Sequence, residues 1–266
     1  MPALKQTFTL FLAISSCASM KAQYTDTATN NKPAQSSGSV EWNSSAVKKH
    51  NGYKSFLVPG VLMVYGVASL NNHTLKQFNG KIKEEMWQDH PHATTKIDDY
   101  LRFTPAIAVY GLNAMGIKGK NNFRDRTMIY LLSNVIVTGT TFGAKKLSHE
   151  LRPDGSDYYS FPSGHTAAAF AAAEFMRQEY KDVSPWYGIA GYAAAGATGA
   201  LRIYNNKHWV SDVLAGAGVG IASTKLAYLI YPAIKRKFFK DKPVSTMIMP
   251  YYQDKSAGLA LVYHFR

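Results

Sequence analysis

The feature that most restricts this chain is a set of six long apolar runs, at 56–70, 103–117, 127–144, 165–176, 186–201 and 209–234. None alternates with period two and each exceeds ordinary strand length, so all six are expected to be helices. Small residues recur at four-residue spacing, as in Gly216 and Gly220 or Ala195 and Gly199, which allows helix backbones to approach closely. The expected fold class is therefore all-α, a bundle of about six core helices spanning residues 51–240. Between the first two runs, the charged segment 81–87 reads as a surface helix. Near the end, segments 244–252 and 257–265 flank a polar turn, and Leu259, Leu261, Tyr263 and Phe265 share one face at period two. A C-terminal β-hairpin within 241–266 is expected, packed on the bundle or paired with another element, because two strands alone are marginal in water.

The amino terminus has a different character. Lys5, the apolar stretch 8–14 and the small polar residues Ser15, Ser16, Cys17 and Ala18 predict a signal peptide over 1–23, followed by a flexible Thr-, Asn- and Ser-rich linker over 24–50. The segment around Cys17 also resembles a bacterial lipoprotein signal. Export to the periplasm or cell envelope follows from either reading. Cys17 is the single cysteine, so neither a disulfide framework nor a cysteine-based metal site is expected. Thirty Lys and Arg against 17 Asp and Glu give a net charge of +13, which favours an anionic partner. Charge alone leaves nucleic acid, acidic lipid surfaces and phosphate esters open.

Three short constellations narrow that choice. They are Lys145 with Arg152-Pro153, Pro162-Ser163-Gly164-His165, and Arg202 with His208 and Asp212. Alone, each reads as helix-end chemistry: a base near terminal carbonyls or a Ser cap. Together they fall at the end of run three, the start of run four, the end of run five and the start of run six, which share one side of an up-and-down bundle. Lys145, Arg152 and Arg202 converging there suit a dianion, with the Arg forks matched to phosphate oxygens. Ser163 and Gly164 add a helix amino terminus. His208 and Asp212 lie four residues apart, so the carboxylate can orient the imidazole as a nucleophile. His165 is then available as a general acid. A core histidine paired to Asp212 is the competing reading of His208.

In this order the motifs resemble the type 2 phosphatidic acid phosphatase superfamily, which includes bacterial acid phosphatases and vanadium haloperoxidases. The resemblance implies a metal-independent, cofactor-free phosphatase working through a phosphohistidine: Lys145, Arg152, Ser163, Gly164 and Arg202 grip the phosphoryl group, His208 attacks, Asp212 orients it and His165 protonates the leaving oxygen. One departure is Leu201, where the family usually has Ser. The implied partner is a phosphorylated envelope lipid, such as lipid A, an isoprenyl diphosphate or phosphatidic acid, with membrane contact and no nucleic acid. A non-catalytic module binding phosphorylated lipid and a vanadate-dependent haloperoxidase are the alternatives.

Other polar residues read as structural. His73, His90, His92 and His149 show no repeated metal-ligand spacing. The carboxylate pairs Asp98–Asp99 and Asp154/Asp157 lie in loop-like sequence and read as caps or solubilising groups, a cation site being the alternative. Tyr158, Tyr159 and Phe161 are placed to line the mouth of the site or to pack the loop. The relation to the membrane is divided. A 15-residue run reaches only about 22 Å as a helix, short of a hydrocarbon core of about 30 Å. Basic clusters at 118–126 and 235–242, however, lie on the face opposite the motifs, as the positive-inside rule requires. With a cleaved leader, six crossings would turn the motifs toward the cytoplasm, so the first run is expected not to cross fully, the leader to be retained, or the bundle only to touch the membrane.

Overall fold

Residues 52–238 and the paired backbone segments 246–253 and 256–263 are described by a computed structural model. The expected leader and linker lie outside the described residues. Each apolar run coincides with one helix: α1 (Leu57–Ser69), α4 (Thr104–Ala114), α5 (Phe123–Ser148), α6 (Gly164–Tyr180), α7 (Pro185–Tyr204) and α8 (Val210–Phe238). Two further helices lie in the polar stretch between the first two runs, α2 (His73–Lys83) and the single-turn α3 (Ile97–Leu101). A π-helical turn, Glu84–Gln88, continues α2 through the segment expected to be a surface helix.

Local chemistry sets the helix starts. Asn122 caps α5 by accepting from the Asp125 amide, Ser163 caps α6, and Ser184 caps α7 ahead of Pro185 in its first turn. The centre of the bundle is α6, whose Ala167, Ala169, Ala171, Ala172 and Ala173 are completely buried. It packs against α4, α5, α7 and α8, while α8 also packs against α1 and α5. The close approach expected of the four-residue spacing is present: a Cβ on Gly216 would lie 2.5 Å from the Ser163 carbonyl oxygen, and one on Gly220 would meet the Ala167 carbonyl oxygen. Buried carboxylates on α6 are neutralised in place. Glu179 holds Arg126, and Glu174 holds Arg177 and Lys225.

The expected fold class needs one correction. The described bundle is all-α, and a C-terminal β-hairpin is not one of its layers. The segments β1 (Thr246–Gln253) and β2 (Ser256–Tyr263) pair antiparallel with each other, Gln253 opposite Ser256, in a sheet of two strands. A ribbon with no third strand among the described residues encloses no core of its own, so it leaves the class of the bundle unchanged.

Helix length also differs from the run-based expectation. Helices α5, α6 and α7 extend past their apolar runs at both ends and α8 at its carboxyl end, whereas α1 and α4 stay within theirs. With 26 and 29 residues, α5 and α8 are long and apolar enough to cross a membrane, at about 39 and 44 Å. In contrast, α1 has 13 residues and is bent by 93° from the α2 segment that follows.

Candidate active site

The four helix ends meet. The amide of Ser163, at the start of α6, donates to the Asp212 carbonyl in the first turn of α8 at 3.0 Å. From the end of α5, Lys145 donates to the Tyr159 and Ser160 carbonyls in the loop that leads into α6. Arg152, in the same loop, donates through Nη1 to the Lys207 carbonyl at 3.4 Å, next to His208. Gly164 opens α6, and nothing lies within 4 Å of where its Cβ would be, so there is open space beside the first residue of the helix.

His208 is 3% exposed, in the short connection between α7 and α8. Burial pushes its imidazole well below the ordinary histidine range, and Arg202, Lys145 and Arg152 add to that by repulsion. The ring is therefore neutral at physiological pH. Its Nδ1 lies 3.5 Å from Asp212 Oδ2 and 3.4 Å from Ser160 Oγ. Ser160 in turn donates to Asp212 Oδ2, which also accepts from the Trp209 amide at 2.9 Å. The direct His208–Asp212 bond expected from the spacing is thus long, and Ser160 stands between them. Nε2 is the ring nitrogen outside these contacts.

Ser160 was not identified in the sequence, since a serine two residues before a proline carries no signal. The four carboxylates expected in loops also exceed their expected roles, and two of them, Asp98 and Asp99, lie in the first turn of α3 rather than in a loop. Asp98 accepts from Arg202 at 2.6 Å, Asp99 from His165 at 2.8 Å, Asp157 from Arg152 at 2.8 Å and Asp154 from Lys207 at 2.7 Å. Each one clamps a basic side chain in or beside the motifs. Arg202 nevertheless keeps a donor in reserve, because its Nε is buried without a hydrogen-bond partner among the described residues. An unpaired guanidinium N–H at the meeting of three cations is a place for an anion oxygen.

Asp98, Asp99 and His165 also lie close enough together to hold a metal ion. Both Asp98 oxygens are already engaged, one by Arg202 and the other by Asn205 at 3.0 Å, so a cation there would have to displace that clamp. Of the aromatic residues expected at the mouth, Tyr158 and Tyr159 are exposed and Phe161 is buried. His92 stacks on Tyr204, a packing role consistent with the absence of ligand spacing.

Comparison with known proteins finds similar sequences and structures. Residues 126–236 match the PAP2 superfamily. The lipid A 1-phosphatase of Porphyromonas gingivalis is 43% identical over 143 residues, 53% of this chain and 32% of that protein, so the chain spans about a third of the length of the curated relative it matches. Two solved structures are similar at 18% identity. The transmembrane PAP2-type phosphatidylglycerolphosphate phosphatase of Bacillus subtilis has a TM-score of 0.46, covering 70% of this chain and 99% of that one; Aquifex aeolicus LpxE has a TM-score of 0.39, covering 64% and 93%. The stretch that matches the PAP2 superfamily, residues 126–236, carries every motif residue gathered at this site.

Proposed function

We propose that this protein is a phosphatase that hydrolyses a phosphomonoester or diphosphate of an envelope lipid through a phosphohistidine. The observation that carries the proposal is a buried, neutral histidine ringed by Lys145, Arg152 and Arg202, with an Arg202 Nε donor that has no partner among the described residues and open space beside Gly164 at the start of α6. Such a site opposes the charge that accumulates on a phosphoryl group in transfer. His208 Nε2 attacks phosphorus, and the bond to the leaving oxygen breaks as His165 supplies its proton. Water then attacks the phosphohistidine, returning its proton to His165 and releasing phosphate. Asp212 and Ser160 hold the His208 ring and stabilise the positive charge it gains. Similarity to a lipid A 1-phosphatase supports a lipid substrate with lipid A among the candidates.

The placement of the basic residues supports a membrane setting. Asp125, at the start of α5, accepts from Lys235, near the end of α8, at 2.9 Å, so the two long helices run antiparallel with their basic ends together. The motif residues occupy the other end. If α5 and α8 span, the positive-inside rule puts the basic ends in the cytoplasm and the site on the outer side.

The test is hydrolysis by the purified protein across lipid A, isoprenyl diphosphate and phosphatidic acid, with acid-quench trapping of phosphoenzyme. The expected result is turnover of at least one lipid and loss of both turnover and acid-labile label in His208→Ala. A His208→Ala variant that still takes up labelled phosphate would place the nucleophile elsewhere.

A further inference from the structure

Of the four carboxylates that clamp basic residues here, Asp99 alone holds the histidine assigned as acid. A carboxylate can only accept, so the 2.8 Å contact puts the His165 proton on Nε2, directed at Asp99 Oδ1. Nδ1 is then the ring nitrogen left for a substrate oxygen. Asp99 is itself held from several directions. Asp98 is buried under Arg202 and Asn205. Asn205 also exchanges two hydrogen bonds with the Thr95 backbone, at 2.8 and 2.9 Å. Arg102 Nε donates to the Asp99 carbonyl at 3.1 Å. The short helix α3 is thereby fastened to the carboxyl end of α7, with its second carboxylate aimed at the first turn of α6.

We infer that Asp99 is a positioning residue for His165, turning Nδ1 toward the substrate and stabilising the imidazolium that delivers the proton. The inference rests on the phosphatase reading above. The charged groups that face His165 are Asp99 from α3, Arg102 directly after α3, Arg202 from α7 and His208 from the α7–α8 connection, with Asp98 turned toward Arg202. Burial, Arg202 and Arg102 all disfavour the protonated ring, and Asp99 opposes them. The step balances. The His165 imidazolium gives its Nδ1 proton to the leaving oxygen as the phosphorus–oxygen bond breaks and the His208 Nε2–phosphorus bond forms. Neutral His165, still donating from Nε2 to Asp99, then accepts a proton at Nδ1 from the attacking water.

Asp99→Asn keeps the shape and one acceptor oxygen but removes the charge. Nitrogen-15 histidine NMR of the full chain in detergent micelles should show the His165 titration midpoint falling by about one pH unit, while Asp99→Glu titrates close to wild type. In the burst of leaving group, Asp99→Asn should lose about tenfold with an alkyl phosphate, which needs the proton, and far less with an aryl phosphate, which does not. An unchanged His165 midpoint, or equal losses for the two substrates, would overturn the role. If the wild type gives no burst with any phosphate ester, the phosphatase reading fails, and the titration still decides whether Asp99 governs His165. The side chain of Asp99 is 46% exposed, so its replacement leaves the bundle core untouched; should Asp99→Asn nevertheless misfold, a His165 midpoint in Asp99→Ser that matches wild type overturns the role equally.

Discussion

Ser160 changes what the His208–Asp212 pair can do. With its hydroxyl given to Asp212 and its oxygen 3.4 Å from His208 Nδ1, it completes a relay in which the histidine leans on the carboxylate through a neutral group. Losing one such hydrogen bond costs about 1 kcal/mol, so Ser160→Ala should lower kcat about fivefold with little change in KM. Asp212→Asn should cost roughly 10³ to 10⁴, as the charge that orients the ring and supports its imidazolium disappears. Because both act through one ring, the double variant should be no worse than Asp212→Asn alone, and fully additive losses would show that they act separately. The pH dependence follows from the same burial. A nucleophilic imidazole works only when unprotonated, and His208 is held well below its ordinary 6.5, so the rising limb of kcat/KM for the free enzyme should lie below pH 6.5. A rising limb at or above that value would contradict the depressed His208.

Among the helices, the contact between α6 and α8 decides whether the site assembles, because each carries motif residues at its first turn. Gly216 and Gly220 let the two backbones touch where the Ser163 and Ala167 carbonyls approach. Gly220→Ala forces those backbones apart and should destabilise the protein by about 1 to 3 kcal/mol or more. Gly139→Ala on α5 is the matched control, since nothing lies within 4 Å of its added Cβ. It should be neutral or stabilising by up to about 1 kcal/mol. Melting of both variants in the same detergent would check the contrast, and equal midpoints would mean that the α6–α8 approach is looser than described.

For the whole molecule, exposed apolar side chains and charge point the same way. Along α1, Val58, Val61, Val64 and Val67 are each more than half exposed; so are Leu131, Val135 and Phe142 on α5. Such stripes are costly in water and favourable in a hydrocarbon phase. The protein should therefore stay with membranes through alkaline carbonate and high-salt washing and be released by detergent. Release by carbonate alone would indicate surface attachment. The 93° bend after α1 bears on topology as well, because α1 by itself is too short to cross and its motif-side partner α2 turns away from it.

The sequence by itself determined the six helical runs and the placement of Lys145, Arg152, Ser163, Gly164, His165, Arg202, His208 and Asp212 at or beside helix ends, because apolar run length and helix-end placement are properties of local chain order. A close backbone approach at Gly216 and Gly220 was legible in their four-residue spacing, and the packed structure supplied α6 as the partner. Tertiary structure alone decided the counter-charges. Asp98 reaches Arg202 across 104 residues, and Ser160 reaches Asp212 across 52. No local pattern distinguishes a carboxylate that will clamp a distant guanidinium from one that caps a helix, since both are short acidic side chains in polar sequence. The second pairing partner is supplied only when the helices pack.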